Sequence, residues 1–84
     1  MWTVYILVCS DKSLYTGVTN NMPKRFLSHQ KGIGAKYTRA HPPIHIVYTE
    51  DFETKSEAMK RECEIKSWQK KKKISILKLD LHHI

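Results

Sequence analysis

The segment from Trp2 to Cys9, WTVYILVC, constrains the fold of this chain more than any other. Successive side chains of a strand point to opposite faces of its sheet. Here β-branched and aromatic residues occupy both parities, so both faces need cover, and the segment reads as a central strand. Ser10-Asp11-Lys12-Ser13 is turn material. Leu14 to Thr19, LYTGVT, forms a second strand and a hairpin with the first. Gly17 inside that strand marks a place where something approaches the backbone closely.

The remaining elements follow from caps and breakers. Asn20 or Asn21 can cap a helix, and Pro23 is tolerated in its first turn. That helix should run to about Lys31 and stop at Gly32. Ile33 to Pro43 reads as a loop holding Gly34, the basic residues Lys36 and Arg39, and Pro42-Pro43. Ile44 to Phe52 is a third strand. Thr54 with Glu57 three residues on makes a capping box, opening a helix to about Gln69. Four lysines follow, and Ile74 to Leu81 predicts a short last helix. The order β-β-α-β-α-α predicts an α+β fold: a small, three-stranded, mostly antiparallel sheet flanked by helices. A single domain is expected over residues 1–84, with its core at about 2–77 and a basic helical tail at 78–84.

Fifteen Lys and Arg against eight Asp and Glu give a net charge of +7 on 84 residues. Such a field attracts polyanions, and basic residues interleaved with aromatic and polar ones favour nucleic acid over a membrane. No apolar run approaches the roughly 20 residues of a membrane span, and Met1-Trp2-Thr3-Val4 lacks the basic region of a secretory signal. A cytoplasmic location is expected. Cys9 and Cys63 lie far apart outside any CxxC pair, and they read as two small buried or half-buried thiols.

Several residues bear chemistry. Ala58, Met59, Ile65 and Trp68 form the apolar stripe of the long helix, and Glu62 sits in or beside it. A carboxylate there must be paired, hydrogen-bonded or metal-bound, and its hard oxygens suit Mg²⁺ or Mn²⁺. A salt bridge to a neighbouring Lys or Arg is the plainer alternative. Arg25 and His29, at i and i+4, share a helix face. Together they can grip a phosphate and move a proton, or simply form a solvated polar face. Tyr5 and Tyr15 lie on paired strands, as core or as site residues. A hairpin loop with an odd number of residues, such as Asp11-Lys12-Ser13, would turn both tyrosines to one face, which we expect to present Arg25 and Glu62. His82-His83 reads as a solvated tail rather than a metal site.

As an ordered set these residues resemble the GIY-YIG nuclease superfamily. Val4-Tyr5-Ile6 matches the first half-motif and Tyr15-Thr16-Gly17 the second, with Val4 and Thr16 replacing the usual glycine and isoleucine. Arg25 with His29 matches the following helix, and Ala58 with Glu62 matches the Ala-x-x-x-Glu helix. Ile65-Lys66-x-Trp68, the lysines and Gly34-Ala35-Lys36-Tyr37-Thr38 resemble the small stand-alone bacterial branch. The resemblance spans about Trp2 to Leu77.

It implies hydrolysis of DNA phosphodiester bonds with one divalent ion, Mg²⁺ or Mn²⁺, held by Glu62. Tyr5 and Tyr15 would line the site, one of them helping to deprotonate the attacking water; the sequence leaves open which. Arg25 would bind the scissile phosphate and His29 would assist proton transfer. Gly17, Lys36, Tyr37, Arg39 and the run Lys70, Lys71, Lys72 and Lys73 would contact nucleic acid, DNA or RNA. Repair or recombination is the implied setting, with a partner protein for targeting. The alternative is a nucleic-acid-binding module of the same fold that does not cut by itself, in which Glu62 is a structural carboxylate.

Overall fold

The computed structural model describes residues 1–79 and 81. Strand β1 (Trp2–Cys9) lies between β2 (Leu14–Thr19) and β3 (Pro43–Phe52), and both pairings are antiparallel. Val4 through Cys9 are all buried, as a strand covered on both faces must be. Helices α1 (Met22–Gln30) and α2 (Lys36–Ala40) precede β3, and α3 (Lys55–Lys66) and α4 (Lys70–Leu77) follow it. No helix of the described residues is long and apolar enough to cross a membrane.

The parity of β1 divides the molecule. Val4 and Ile6 point into an apolar core with Ala58 and Ile65 of α3 and with Leu79, flanked by Trp68, Ile74 and Leu77. Each fully buried aliphatic side chain contributes about 1.5–3 kcal/mol, so this face anchors α3. Tyr5 and Leu7 point the other way, where α1 delivers the buried His29 to Tyr5.

The hairpin loop is odd, as expected, but one residue earlier. The backbone N–H of Cys9 donates to Ser13 O and that of Lys12 to Cys9 O, leaving Ser10-Asp11-Lys12 as the loop. Lys12 takes the left-handed conformation (φ 70°) that closes three-residue hairpins. Leu7 therefore pairs with Tyr15 and Tyr5 with Gly17, so both tyrosines share one face.

The observed order is β-β-α-α-β-α-α; β3 begins at Pro43 rather than Ile44, and the helices differ from expectation in four places. The supposed loop from Ile33 to Pro43 contains the single-turn helix α2, whose N-cap is Ala35. The long helix ends at Lys66 rather than Gln69: Ser67 is its C-cap, with its hydroxyl on Glu64 O at 2.6 Å. The lysine run is itself helical and forms the first turn of α4, consistent with the good helix propensity of lysine. That helix stops at Leu77, before Leu81, because Lys78 adopts φ 53°. At the other predicted boundaries, Asn21 caps α1 through Lys24 N, Gly32 (φ 77°) follows its end, and Thr54 with Glu57 forms the expected capping box. Cys9 is buried, but Cys63 is exposed on the outer side of α3, so only one thiol fits the burial expected of both. His82 and His83 lie outside the described residues.

Candidate active site

A cleft of about 270 Å³ opens beside the edge strand β2. It is lined by Tyr5 from β1, Tyr15 and Gly17 from β2, Arg25 from α1 and Glu62 from α3, with Trp2, Val18, Lys55 and Met59 completing the wall. Residues far apart in sequence are thus brought together by the parity of one hairpin and by two helices packed from opposite faces of the sheet. Lys55, Met59 and Glu62 follow the i, i+4, i+7 spacing of one helix face, so Met59, expected in the apolar stripe, instead faces the cleft and is 46% exposed.

The Tyr5 phenol is the centre of the arrangement. Tyr5 Oη and His29 Nε2 share a hydrogen bond of 2.8 Å, and Arg25 Nε donates to the same Oη at 3.4 Å. Tyr5 is 1% exposed and His29 fully buried. Burial holds the phenol above its ordinary pKa, with the Arg25 hydrogen bond opposing. Burial, and then the charge of Arg25, lower the imidazole to about 4, so His29 is neutral at physiological pH. Hydrogen bonding to Tyr5 raises the Arg25 guanidinium further and keeps it charged.

Two glycines shape this cluster by lacking side chains. A Cβ at Gly17 would strike the Tyr5 phenol, so the close approach expected at Gly17 is that of Tyr5. A Cβ at Gly34 would stand 2.6 Å from His29 Nδ1. Behind His29, Nδ1 lies 2.7 Å from Thr38 Oγ1 of α2, also fully buried. Thr38 was not among the expected site residues. Its tertiary contact arises from a one-turn helix too short to show a period.

Tyr15 completes the aromatic wall, edge-on to His29 (5.2 Å between centroids) and stacked on Tyr37 (6.3 Å). Glu62 is half-buried, and its Oε2 pairs with Lys66 Nζ at 3.2 Å. Among the described residues no group of three or more His, Cys, Asp or Glu side chains stands ready for a metal. The donor chemistry still fits a hard divalent ion. Mg²⁺ commonly uses one or two carboxylates and fills its remaining positions with water and substrate phosphate.

The other predicted residues lie outside this cleft. Lys36 and Tyr37 line a separate depression with Ala40 and His41. The Tyr37 hydroxyl donates to Asp11 Oδ2 at 3.2 Å and also contacts Ser13 Oγ, so it is turned toward a carboxylate. Arg39 is exposed, with its stem beside Gly32. Lys70 Nζ donates to Lys12 O at 2.5 Å, Lys72 Nζ stands 5.5 Å over the Trp68 ring, Lys71 is exposed and Lys73 is half-buried.

Comparison with known proteins agrees with this architecture. The family model described as the GIY-YIG catalytic domain matches residues 1–75. A UPF0213 protein of Staphylococcus aureus (strain Mu3 / ATCC 700698) is 52% identical over 75 residues, covering 89% of this chain and 92% of the relative. The solution NMR structure of a UPF0213 protein from Bacillus halodurans is 43% identical with a TM-score of 0.59, covering 93% of this chain and 84% of that one. A solution NMR structure of a protein from E. faecalis gives 43% identity and a TM-score of 0.63, covering 90% and 81% respectively.

Proposed function

The chain belongs to the GIY-YIG catalytic-domain family, and from that premise we propose that it is a divalent-metal-dependent endonuclease that hydrolyses DNA phosphodiester bonds in the cleft beside β2. The observation that carries this reading is the meeting of Tyr5, Tyr15, Arg25 and Glu62 around one opening. Binding alone needs cations. A carboxylate facing a phosphate-sized cleft between Arg25 and Lys55 weakens simple anion binding unless a metal reverses its sign.

Glu62 is the residue that would hold Mg²⁺ or Mn²⁺. When bound, such an ion neutralises the phosphoryl and leaving oxygens. The chain's own residues supply the rest. Arg25 is charged at any working pH and offsets charge growing on the scissile phosphate. The Tyr5 phenol is protonated at neutral pH, and burial makes an isolated phenolate costly. It acts as a base by concerted transfer: Oη takes a proton from the attacking water while its own proton passes to His29 Nε2, 2.8 Å away. The resulting hydroxide forms the new P–O bond as the sugar oxygen leaves with the bonding pair. Tyr15 bounds the site and shares the Arg25 guanidinium. Lys55 adds a second cation at the wall.

One observation favours binding without cleavage: Glu62 already has a partner in Lys66. Labelled single-stranded, duplex and branched DNA, incubated with Mg²⁺, Mn²⁺ or EDTA, decides between the two. Metal-dependent cutting that is lost in Glu62→Gln and Arg25→Ala, with binding by Glu62→Gln retained, establishes the nuclease. Binding with no cutting under either ion, unaltered by Glu62→Gln, rejects it.

A further inference from the structure

The bond behind His29 carries information beyond packing. Nδ1 of the imidazole meets Thr38 Oγ1 at 2.7 Å, and that hydroxyl is tied to the backbone of Ala35 in both directions. It accepts from Ala35 N at 3.3 Å and donates to Ala35 O at 3.1 Å. A hydroxyl has one proton and two lone pairs. With its proton on a carbonyl, which can only accept, the Thr38 oxygen can meet Nδ1 only as an acceptor.

The same direction follows from the other end. Arg25 has no lone pair to offer, so its Nε–H donates to Tyr5 Oη and the phenolic proton must go elsewhere. Tyr5 is 1% exposed, and among its hydrogen bonds the one remaining partner is His29 Nε2. With the proton on Nδ1, each donor in the row Arg25–Tyr5–His29–Thr38–Ala35 finds an acceptor. With the proton on Nε2, the Tyr5 hydroxyl has no acceptor among the described side chains bonded to it.

We propose that Thr38 is a positioning residue that holds His29 in the Nδ1–H tautomer, leaving Nε2 bare to receive the Tyr5 proton, and that Gly34 keeps the ring at that hydroxyl. The catalytic consequence rests on the nuclease reading above; the tautomer does not. The geometry supplies both conditions for the role. Two fully buried groups exclude water as a substitute partner, and the absent Cβ of Gly34 lets the backbone close on the ring. The neutral state of His29, depressed to about 4 by burial and by Arg25, means that a tautomer rather than a charge must be specified at working pH.

The test is the long-range ¹⁵N–¹H spectrum of the imidazole near pH 7, in wild type, Thr38→Val and Thr38→Ser, with DNA cleavage measured on the same samples. Wild type is expected to show a protonated Nδ1 and a bare Nε2. Thr38→Val removes the acceptor while keeping volume, and should convert His29 wholly or partly to the Nε2–H form; Thr38→Ser should restore the wild-type pattern. Cleavage should fall about 10–100-fold in kcat for Thr38→Val with KM unchanged, by analogy with metal-ligating histidines that lose their outer hydrogen-bond partner, and should recover in Thr38→Ser. A wild-type Nε2–H tautomer, or an unchanged tautomer in Thr38→Val, overturns the proposal. A converted tautomer with undiminished kcat overturns its catalytic half. If Thr38→Val does not fold, the wild-type and Thr38→Ser spectra still decide the tautomer. Wild-type protein that cuts nothing removes the nuclease reading and leaves the tautomer result standing.

Discussion

Gly17 lies directly across the β1–β2 ladder from Tyr5, and the Tyr5 phenol occupies the space that a side chain at position 17 would need. A Cβ there would stand 2.5 Å from Tyr5 Cζ, well inside contact distance. The requirement is one of space, since the backbone at Gly17 is not left-handed. Gly17→Ala should therefore push the ring off its bonds to His29 and Arg25. The expected cost is about 1–3 kcal/mol of stability, as for overpacking generally, with cleavage falling beyond what lost folding explains. Thermal unfolding and cleavage of Gly17→Ala check this; wild-type values for both would show that the ring has slack.

The buried imidazole makes stability depend on pH in a definite direction. The pKa of His29 is lowered from 6.5 to about 4 in the folded chain. Between those values the unfolded chain binds the proton and the folded chain does not, so stability rises with pH across the window. The contribution of His29 is complete above about 6.5 and is lost progressively as pH falls toward 4. Tm measured from pH 7.5 to 4 should decline over that interval, and His29→Gln should flatten the decline. A wild-type Tm that is level between pH 6.5 and 4.5 would mean that the imidazole charges freely in the fold.

How much of this was legible in the sequence depends on where the stabilising contacts lie. β1 could be read because apolar residues on both parities can only be satisfied between two layers. The capping box at Thr54 and Glu57 is local chemistry and folded as written. That Tyr5, Arg25 and Glu62 would meet on one side of the sheet could be anticipated because strand alternation and helix spacing are periodic, while their joint role was implied only by the family resemblance. Thr38 and Gly34 were missed because their roles are tertiary: one hydroxyl on one imidazole nitrogen, and one absent Cβ. The break between α3 and α4 was hidden for a related reason. Ser67, Gln69 and the lysines tolerate a helix, and the chain turns because the Ser67 hydroxyl takes the Glu64 carbonyl. Arg61 then stands 5.4 Å from the Trp68 ring, on which Lys72 of the next helix also rests.

Arg25→Lys would keep the charge and lose the geometry. Arg25 reaches Tyr5 through Nε while its guanidinium also serves Tyr15. An ammonium is a point charge on a flexible stem and cannot reproduce that fork. Cleavage by Arg25→Lys should drop about 10²–10³-fold, as when a positioned donor is removed from a site of developing charge, while DNA binding changes little. A tenfold or smaller loss in kcat would assign Arg25 a general electrostatic role.

The lysine run is four side chains in four environments, and DNA binding should reflect that. Lys70 is engaged with the Lys12 carbonyl and Lys72 rests on Trp68, whereas Lys71 is exposed. The Lys73 ammonium is held below the usual lysine pKa, by burial first and then by Lys66. If the domain binds DNA through backbone phosphates, each engaged cation contributes about 0.9 to the slope of log K against log salt. Lys71→Gln should lower that slope by about this amount and leave Tm within the small range of surface changes. Lys73→Met should do the reverse: it keeps the apolar stem, removes a poorly solvated charge near Lys66, raises Tm and leaves the slope nearly unchanged. Salt titrations of binding with both variants, beside their unfolding curves, make the comparison. Equal loss of slope at the two positions would show the run to be one uniform cationic face, with the burial of Lys73 given up when DNA binds.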